Sequence, residues 1–128
     1  RGVAITAMIA IILILNFGGG SGNLPAEISV DDAYQKYQDG DAFFLDVRTP
    51  EEWVEYHAPN TTLIPLDELP ARVNEVPKDR EVVVVCRSGN RSQQGRDILL
   101  QAGHAQVTSM AGGLKTWQSQ GYPITSGE

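Results

Sequence analysis

The sequence has a single cysteine and few basic residues, and each shortage excludes a class of protein. Cys86 has no second cysteine to pair with, so the fold depends on packing alone and the thiol is free for chemistry. Ten lysines and arginines against 16 acids give a formal net charge of −6, and no basic run with interleaved aromatics offsets it. Because this charge repels a phosphate backbone, we expect no nucleic-acid partner.

The sequence also lacks internal repeats. Its 128 residues can form one core, but they are too few for two domains plus an apolar N-terminal segment. The 41% hydrophobic and 20% charged residues are typical of an ordinary folded α/β domain. We therefore expect one domain, at residues 26–128.

One long apolar run precedes this domain, at residues 2–15 behind Arg1. The 15 residues at 3–17 would rise roughly 22 Å as a helix, which is short of the ~30 Å hydrocarbon core and closer to the apolar part of a signal peptide. The chain does not begin with Met, however, and a cleaved signal peptide would not be retained in it. We predict a retained membrane anchor at 1–17, with an uncleaved signal peptide or a buried helix as alternatives.

Glycine and serine at 18–22 follow the apolar run, and we predict a flexible tether over 18–25. Arg1 is the only charge before the run, and the first charges after it are acidic. By the positive-inside rule, the folded domain then lies outside the cytoplasm, on the periplasmic or extracellular face. A secreted protein is the alternative. An anchored chain can also have other subunits of a membrane assembly as partners.

Apolar runs alternate with helical patterns through the rest of the chain. Ser29 and Gly40 are positioned to cap and to end a first helix, and residues 49–52 supply an N-cap, a first-turn proline and a capping acid. The β-branched run at 81–86 does not alternate, which is typical of a central parallel strand. Strands are predicted at 42–47, 63–66, 81–86 and 106–109. Helices are predicted from the Ser29 cap through 37, at 50–56, from the Asp67 cap through 76, at 91–102 and at 114–120. The alternation predicts an α/β fold with a parallel sheet and helices on both faces.

The strand at 81–86 brings Cys86 to the carboxyl edge of such a sheet, where these folds bind ligands. Gly89 provides a turn and a helix begins near Arg91, so the backbone N–H groups of 88–92 can surround the sulfur as an anion cradle. An ordinary thiol has a pKa of about 8.5, so it is only a few per cent thiolate at pH 7. Lowering that pKa by about two units takes roughly 2.7 kcal/mol, which the helix end, at up to ~2 kcal/mol, and the loop arginines can supply. A histidine base is then unnecessary.

A free cysteine at the end of a core strand is often only a small buried hydrophobe. The residues that follow Cys86 favour a reactive thiol instead, and we predict this cysteine as the catalytic residue. The candidate substrate-binding residues are Arg87, Ser88, Gly89, Asn90, Arg91 and Ser92.

Residues 86–92 resemble the active-site loop of the rhodanese family. Other segments match that family in the same order: Asp46 to Arg48 before the helix start at 49–53, His57 with Pro59 followed by 64–69, and 112–114 followed by Trp117, Gly121 and Pro123. The resemblance extends over about 28–124. Tyr56 and Asn60 stand where the family usually has glycine, and asparagine tolerates the left-handed turn expected at 60.

The resemblance implies a rhodanese-like fold with a five-stranded parallel sheet and helices on both faces. It implies that Cys86 takes a sulfane sulfur from a donor such as thiosulfate and passes it, as a persulfide, to a thiophilic acceptor such as cyanide or a thiol. Thiolate and persulfide both carry about one negative charge, so one cradle stabilises both. Asp46, Arg48 and His57 would support the site, and neither a metal nor a cofactor is implied.

The sequence is also compatible with two other functions. A Cys-dependent phosphatase or arsenate reductase also holds its cysteine in an anion cradle closed by an arginine, but its loop has one residue more than the four between Cys86 and Arg91. A non-catalytic rhodanese-fold subunit of a membrane assembly is the second alternative, because an apolar helix needs something to pack against.

Overall fold

The computed structural model describes residues 24–128. The predicted anchor at 1–17 and most of the predicted tether at 18–25 lie outside the described residues, so both stay predictions. Within the described range, no helix is long and apolar enough to cross a membrane.

Five strands and five α-helices alternate along residues 24–128. The strands are β1 (Glu27–Ile28), β2 (Phe43–Asp46), β3 (Thr62–Leu63), β4 (Val82–Val85) and β5 (Val107–Met110). The helices are α1 (Val30–Asp39), α2 (Pro50–Glu55), α3 (Leu69–Arg72), α4 (Asn90–Gln101) and α5 (Gly113–Ser119), with a 3₁₀ turn at Val73–Glu75 after α3.

The strands form one parallel sheet in the order β1-β5-β4-β2-β3. All four valines of the central strand β4 are buried. Val84 belongs to a buried cluster that includes Leu99 of α4, and Val83 belongs to a second cluster that includes Trp117 of α5. Since successive side chains of a strand point to opposite faces, helices cover both faces of the sheet. The predicted five-stranded parallel sheet with helices on both faces is confirmed.

The predicted starts of the first two helices are also confirmed. The Ser29 hydroxyl oxygen accepts a hydrogen bond from the Asp32 N–H at 3.0 Å, and Gly40 ends α1 with a φ of 77°. At α2, the Thr49 hydroxyl oxygen accepts from the Glu52 N–H at 3.2 Å, and the Glu52 carboxylate accepts from the Thr49 N–H at 3.0 Å. This reciprocal capping box fixes the point at which α2 begins after β2.

Two predictions near β3 were wrong. The strand predicted at 63–66 is the shorter β3. The N–H groups of Ile64 and Leu66 still donate to the carbonyls of Asp46 and Val47, at 3.0 and 3.1 Å, but these acceptors are consecutive residues, so the regular parallel ladder ends at Leu63. Asp67 does not cap a helix: the N–H of Leu69 donates to the Pro65 carbonyl at 3.0 Å, which makes residues 66–68 part of a turn. The helix predicted through 76 is therefore one α-helical turn followed by the 3₁₀ turn.

The sequence pattern does not predict β1, which has two residues and is too short for alternation to be visible. Its pairing with β5 completes the sheet on one side, and Ile28 is buried there. Asn60 has the left-handed φ of 62° that was predicted for it.

Candidate active site

The loop that carries Cys86 connects the central strand to α4. Cys86 follows the last residue of β4, and Gly89 is the N-cap of α4. Gly89 has a φ of 108°, and a Cβ placed on it would lie 3.2 Å from the Gly112 nitrogen. Glycine therefore meets both a conformational and a steric requirement at this turn. The thiol lies at the carboxyl edge of the sheet, as the alternation of strands and helices predicts.

The Cys86 sulfur is buried, with 1% of the residue exposed. The Gly89 N–H donates to it at 3.0 Å, and the Ser92 hydroxyl oxygen lies 3.6 Å away. Burial raises the pKa of the thiol, but hydrogen bonds from the Ser92 hydroxyl and from the N–H groups of Ser92, Gly89 and Ser88 more than offset it, so the net pKa is lowered. The loop thus has the anion cradle that a reactive thiolate requires.

Arg91 is engaged by a residue outside the loop. Its two terminal nitrogens donate to the Glu52 carboxylate at 2.7 and 2.9 Å. These bonds from Arg91 lower the pKa of Glu52 to about 2, although partial burial acts in the opposite direction. The Arg91 charge also interacts with Cys86 and with Asp46. Much of this cation is therefore balanced by Glu52, and the main donors to the sulfur are amide and hydroxyl groups.

The other end of the loop rests on the start of α5. The Leu114 N–H donates to the Cys86 carbonyl at 2.8 Å, and the Lys115 N–H donates to the Arg87 carbonyl at 3.1 Å. Gly113 permits this approach, since a Cβ on it would lie 2.2 Å from the Arg87 carbonyl oxygen. The loop backbone is held from outside while the Arg87 side chain is exposed. Ser88 and Asn90 are exposed too.

Asp46 and Arg48 form a buried ion pair behind the loop, 0% and 1% exposed. The Arg48 Nε lies 3.0 and 3.1 Å from the two Asp46 oxygens, and Nη2 lies 2.8 Å from one of them. Nη2 also donates to the Tyr56 carbonyl at 2.8 Å, just after α2. The pair ties the end of β2 to the end of the helix that carries Glu52, so its contacts are those of a supporting pair.

His57 is buried beside α2 rather than against the loop. Its Nδ1 donates to the Trp53 carbonyl oxygen at 2.7 Å, and its ring stacks on the Trp53 ring with centroids 3.6 Å apart. Its backbone pairs with Thr125. These contacts fix the end of α2 and the C-terminal segment.

A cleft of about 290 Å³ lies next to Arg91, and residues 47–49 and 65–67 line the rest of it. A larger cavity of about 400 Å³ lies elsewhere, between α1 and the start of β1, and includes none of residues 86–92. Among residues 24–128, no group of three or more His, Cys, Asp or Glu side chains is placed to hold a metal ion.

Sequence reasoning missed three residues of this site. Glu52 was recognised only as a capping acid, Gly113 only as part of a tight turn, and Ser109 of β5 not at all. The Ser109 hydroxyl lies 2.7 Å from the Ser92 hydroxyl. A single serine in a short strand gives no pattern, so this contact becomes visible only once β5 is placed beside β4.

We predict that Asp46→Asn destabilises the domain by about 3 to 5 kcal/mol, because it leaves the buried Arg48 guanidinium without its counter-ion. The free energy of unfolding from urea denaturation measures this effect. Asp41→Asn is the matched control, since Asp41 is exposed just before β2. Equal stabilities for the two variants would contradict the role of the buried pair.

A second prediction concerns the Glu52 carboxylate and pH. Because its folded pKa of about 2 lies below the ordinary value of 4.5, its ionised form stabilises the fold above about pH 4.5, and this contribution is lost as the pH falls towards 2. Glu52→Gln should therefore be less stable than wild type at neutral pH and lose less stability over that acid range. Unfolding free energies at a series of pH values test this.

The exposed neighbour Glu51 provides the control for that series. Glu51→Gln should keep the wild-type slope of stability against pH. Parallel curves for wild type and Glu52→Gln would show that the Glu52 carboxylate contributes nothing to folding.

Comparison with known proteins agrees with this geometry. The model of the rhodanese-like domain family matches residues 29–120. A protein of Allochromatium vinosum named sulfurtransferase is 38% identical over 103 residues, which are 80% of this chain and 96% of that protein.

Solved structures show the same fold. A rhodanese-related protein of Thermoplasma volcanium superimposes with a TM-score of 0.72 at 30% identity, over 79% of this chain and 98% of that one. The human single-domain sulfurtransferase TSTD1 gives a TM-score of 0.71 at 21% identity, over 76% and 98% of the two chains. The chain belongs to the rhodanese-like domain family.

Proposed function

We propose that this chain is a sulfurtransferase that moves a sulfane sulfur through a persulfide on Cys86. The observation that carries the proposal is the sulfur itself, which is buried at the carboxyl edge of the sheet with the Gly89 N–H at 3.0 Å and the Ser92 hydroxyl at 3.6 Å. These donors favour the anion, so the thiol can act as a nucleophile without a histidine base. The sulfurtransferase name of the Allochromatium vinosum relative supports the same reaction.

With thiosulfate as donor, the Cys86 thiolate attacks the outer, sulfane sulfur. A bond forms between that sulfur and Sγ, the sulfur–sulfur bond of thiosulfate breaks, and sulfite leaves with the electron pair. An acceptor such as cyanide or a thiolate then attacks the terminal sulfur of the persulfide, and the Cys86 thiolate is released. The group on Cys86 carries about one negative charge before and after each step, on Sγ in the thiolate and on the terminal sulfur in the persulfide, so one set of loop donors can serve both forms.

The loop arginines have different parts in this proposal. Arg87 is exposed at the entrance, where its charge can attract an anionic donor to a domain of net negative charge. Arg91 is held by Glu52 beside the cleft formed with 47–49 and 65–67, which offers the acceptor a place next to the loop. Ser88 and Asn90 line the exposed side, and their contact with substrate stays a prediction.

A phosphatase or arsenate reductase reaction fits this geometry less well. Such a reaction uses N–H groups of the loop arginine, directed at the oxygens of the oxyanion. In this structure the Glu52 carboxylate accepts from both terminal nitrogens of Arg91. The loop also has four residues between Cys86 and Arg91, one fewer than the loop of a Cys-dependent phosphatase, and this length favours a sulfurtransferase.

The location of the reaction forms part of the proposal and rests on the sequence alone. Arg1 before the apolar run and the acidic residues after the tether favour attachment through 1–17, with the domain outside the cytoplasm. Other subunits of a membrane assembly are then possible partners. Recovery of the full chain in washed membranes, and its digestion by protease added from outside the cytoplasm, would test this placement.

Incubation with thiosulfate should add about 32 Da to the protein at Cys86, because one sulfur atom becomes covalently bound. Mass spectrometry of the intact protein and of its peptides measures this, and cyanide should remove the added mass. Sulfite, which has no sulfane sulfur, is the chemical control. Cys86→Ser should show neither the added mass nor thiocyanate formation while keeping the fold. An unmodified thiol after several sulfane donors, or full activity in Cys86→Ser, would contradict the proposal.

A further inference from the structure

A chain of three buried groups leads from β5 to the sulfur. Ser109 of β5 and Ser92 of α4 are both 0% exposed, and their hydroxyl oxygens lie 2.7 Å apart. The Ser92 oxygen lies in turn 3.6 Å from the Cys86 sulfur. Ser109 pairs with Val84 of β4 in the sheet, so its position relative to the loop is set by the strand register.

The direction of these hydrogen bonds follows from the number of hydrogens. A serine hydroxyl has one hydrogen to donate and two lone pairs to accept with. When Cys86 is a thiolate it can only accept, so the Ser92 hydrogen points to the sulfur. The 2.7 Å contact can then be a hydrogen bond only if Ser109 donates to Ser92.

We propose that Ser109 is a positioning residue for the sulfur centre: by donating to the Ser92 oxygen, its hydroxyl directs the Ser92 hydrogen at Cys86. Such a chain also polarises Ser92, which makes its hydroxyl a better donor to an anion. Ser109 itself does not touch the sulfur and acts through Ser92. The inference rests on the proposed function only in taking Cys86 as the reactive group.

The consequence is a higher fraction of thiolate at neutral pH, since a hydrogen bond to the charged form favours that form. The charged side chains around the loop are Asp46 and Arg48 at the end of β2, Glu52 on α2, Arg87 in the loop, Arg91 on α4 and Lys115 on α5, whereas β4 and β5 carry none. A substitution at Ser109 changes none of these charges. A shift in the titration of the thiol therefore does not come from the loss of a charge.

The test is the pH dependence of alkylation of Cys86, the only thiol of the chain, by iodoacetamide. Ser109→Ala should raise the midpoint by about 0.5 to 1 pH unit, which leaves roughly three- to tenfold less thiolate below the midpoint. Ser109→Thr keeps the hydroxyl in a residue that strands favour, and should restore the wild-type midpoint.

Thr108 provides a matched control on the same strand. Its hydroxyl is buried and has no hydrogen-bond partner within residues 24–128. Thr108→Val removes a buried hydroxyl that takes no part in the hydrogen bonds from Ser109 through Ser92 to Cys86. The alkylation midpoint of this variant should therefore equal that of wild type. An equal shift in Thr108→Val and Ser109→Ala would overturn the proposal, because the effect would then come from packing of the strand.

A double variant tests whether Ser109 acts through Ser92. Ser92→Ala alone should raise the alkylation midpoint at least as much as Ser109→Ala does. The double variant, with both substitutions, should have the same midpoint as Ser92→Ala. Additive shifts, or an unchanged midpoint in Ser109→Ala, would overturn the positioning role. Alkylation needs no sulfur donor, so these results do not depend on whether thiosulfate reacts. A failure of persulfide formation in the wild type would instead contradict the proposed function.

Discussion

A thiolate buried at Cys86 is without most of its hydration, and the protein has to replace that water with donors of its own. Burial by itself raises the pKa of the thiol, so the chemistry depends on hydrogen bonds that outweigh it. The Gly89 N–H and the Ser92 hydroxyl are near the sulfur because Gly89 adopts a left-handed conformation and α4 begins directly behind it. The sharp loop between β4 and α4 is thus a condition for the reactive anion.

The rest of the domain keeps this loop in place. Gly113 lets the loop carbonyls approach the start of α5, and Glu52 holds Arg91 from α2. The buried pair of Asp46 and Arg48 fixes α2 to the end of β2. Substitutions well away from the sulfur can therefore alter its surroundings, because each of these contacts joins the loop to a different element.

Much of the fold could be predicted from the sequence, for identifiable physical reasons. The capping residues Ser29 and Thr49 act within a few positions of the chain, and the valines of β4 require cover on both faces; both features are local. The turn after Pro65 was missed because its hydrogen bonds, and not the side chain of Asp67, decide where α3 begins.

The candidate site was predictable only in part. Residues 86–92 are contiguous, so their cluster is visible in the sequence, and the structure brings their backbone around the sulfur. The partners of that cluster come from far along the chain: Glu52 lies 39 positions before Arg91, and Ser109 lies 17 positions after Ser92. Only the parallel order of the strands and the packing of α2 bring these residues to the loop.

The most direct test of this account is a titration of the thiol itself. The sequence has one cysteine, so the signal comes from a single thiol. The ultraviolet absorbance of the thiolate can be followed with pH, with Cys86→Ser as the blank that subtracts the tyrosines. The account predicts a midpoint below the value of about 8.5 for an ordinary thiol. A midpoint at or above that value would show that burial outweighs the donors of the loop and would contradict a reactive anion at Cys86.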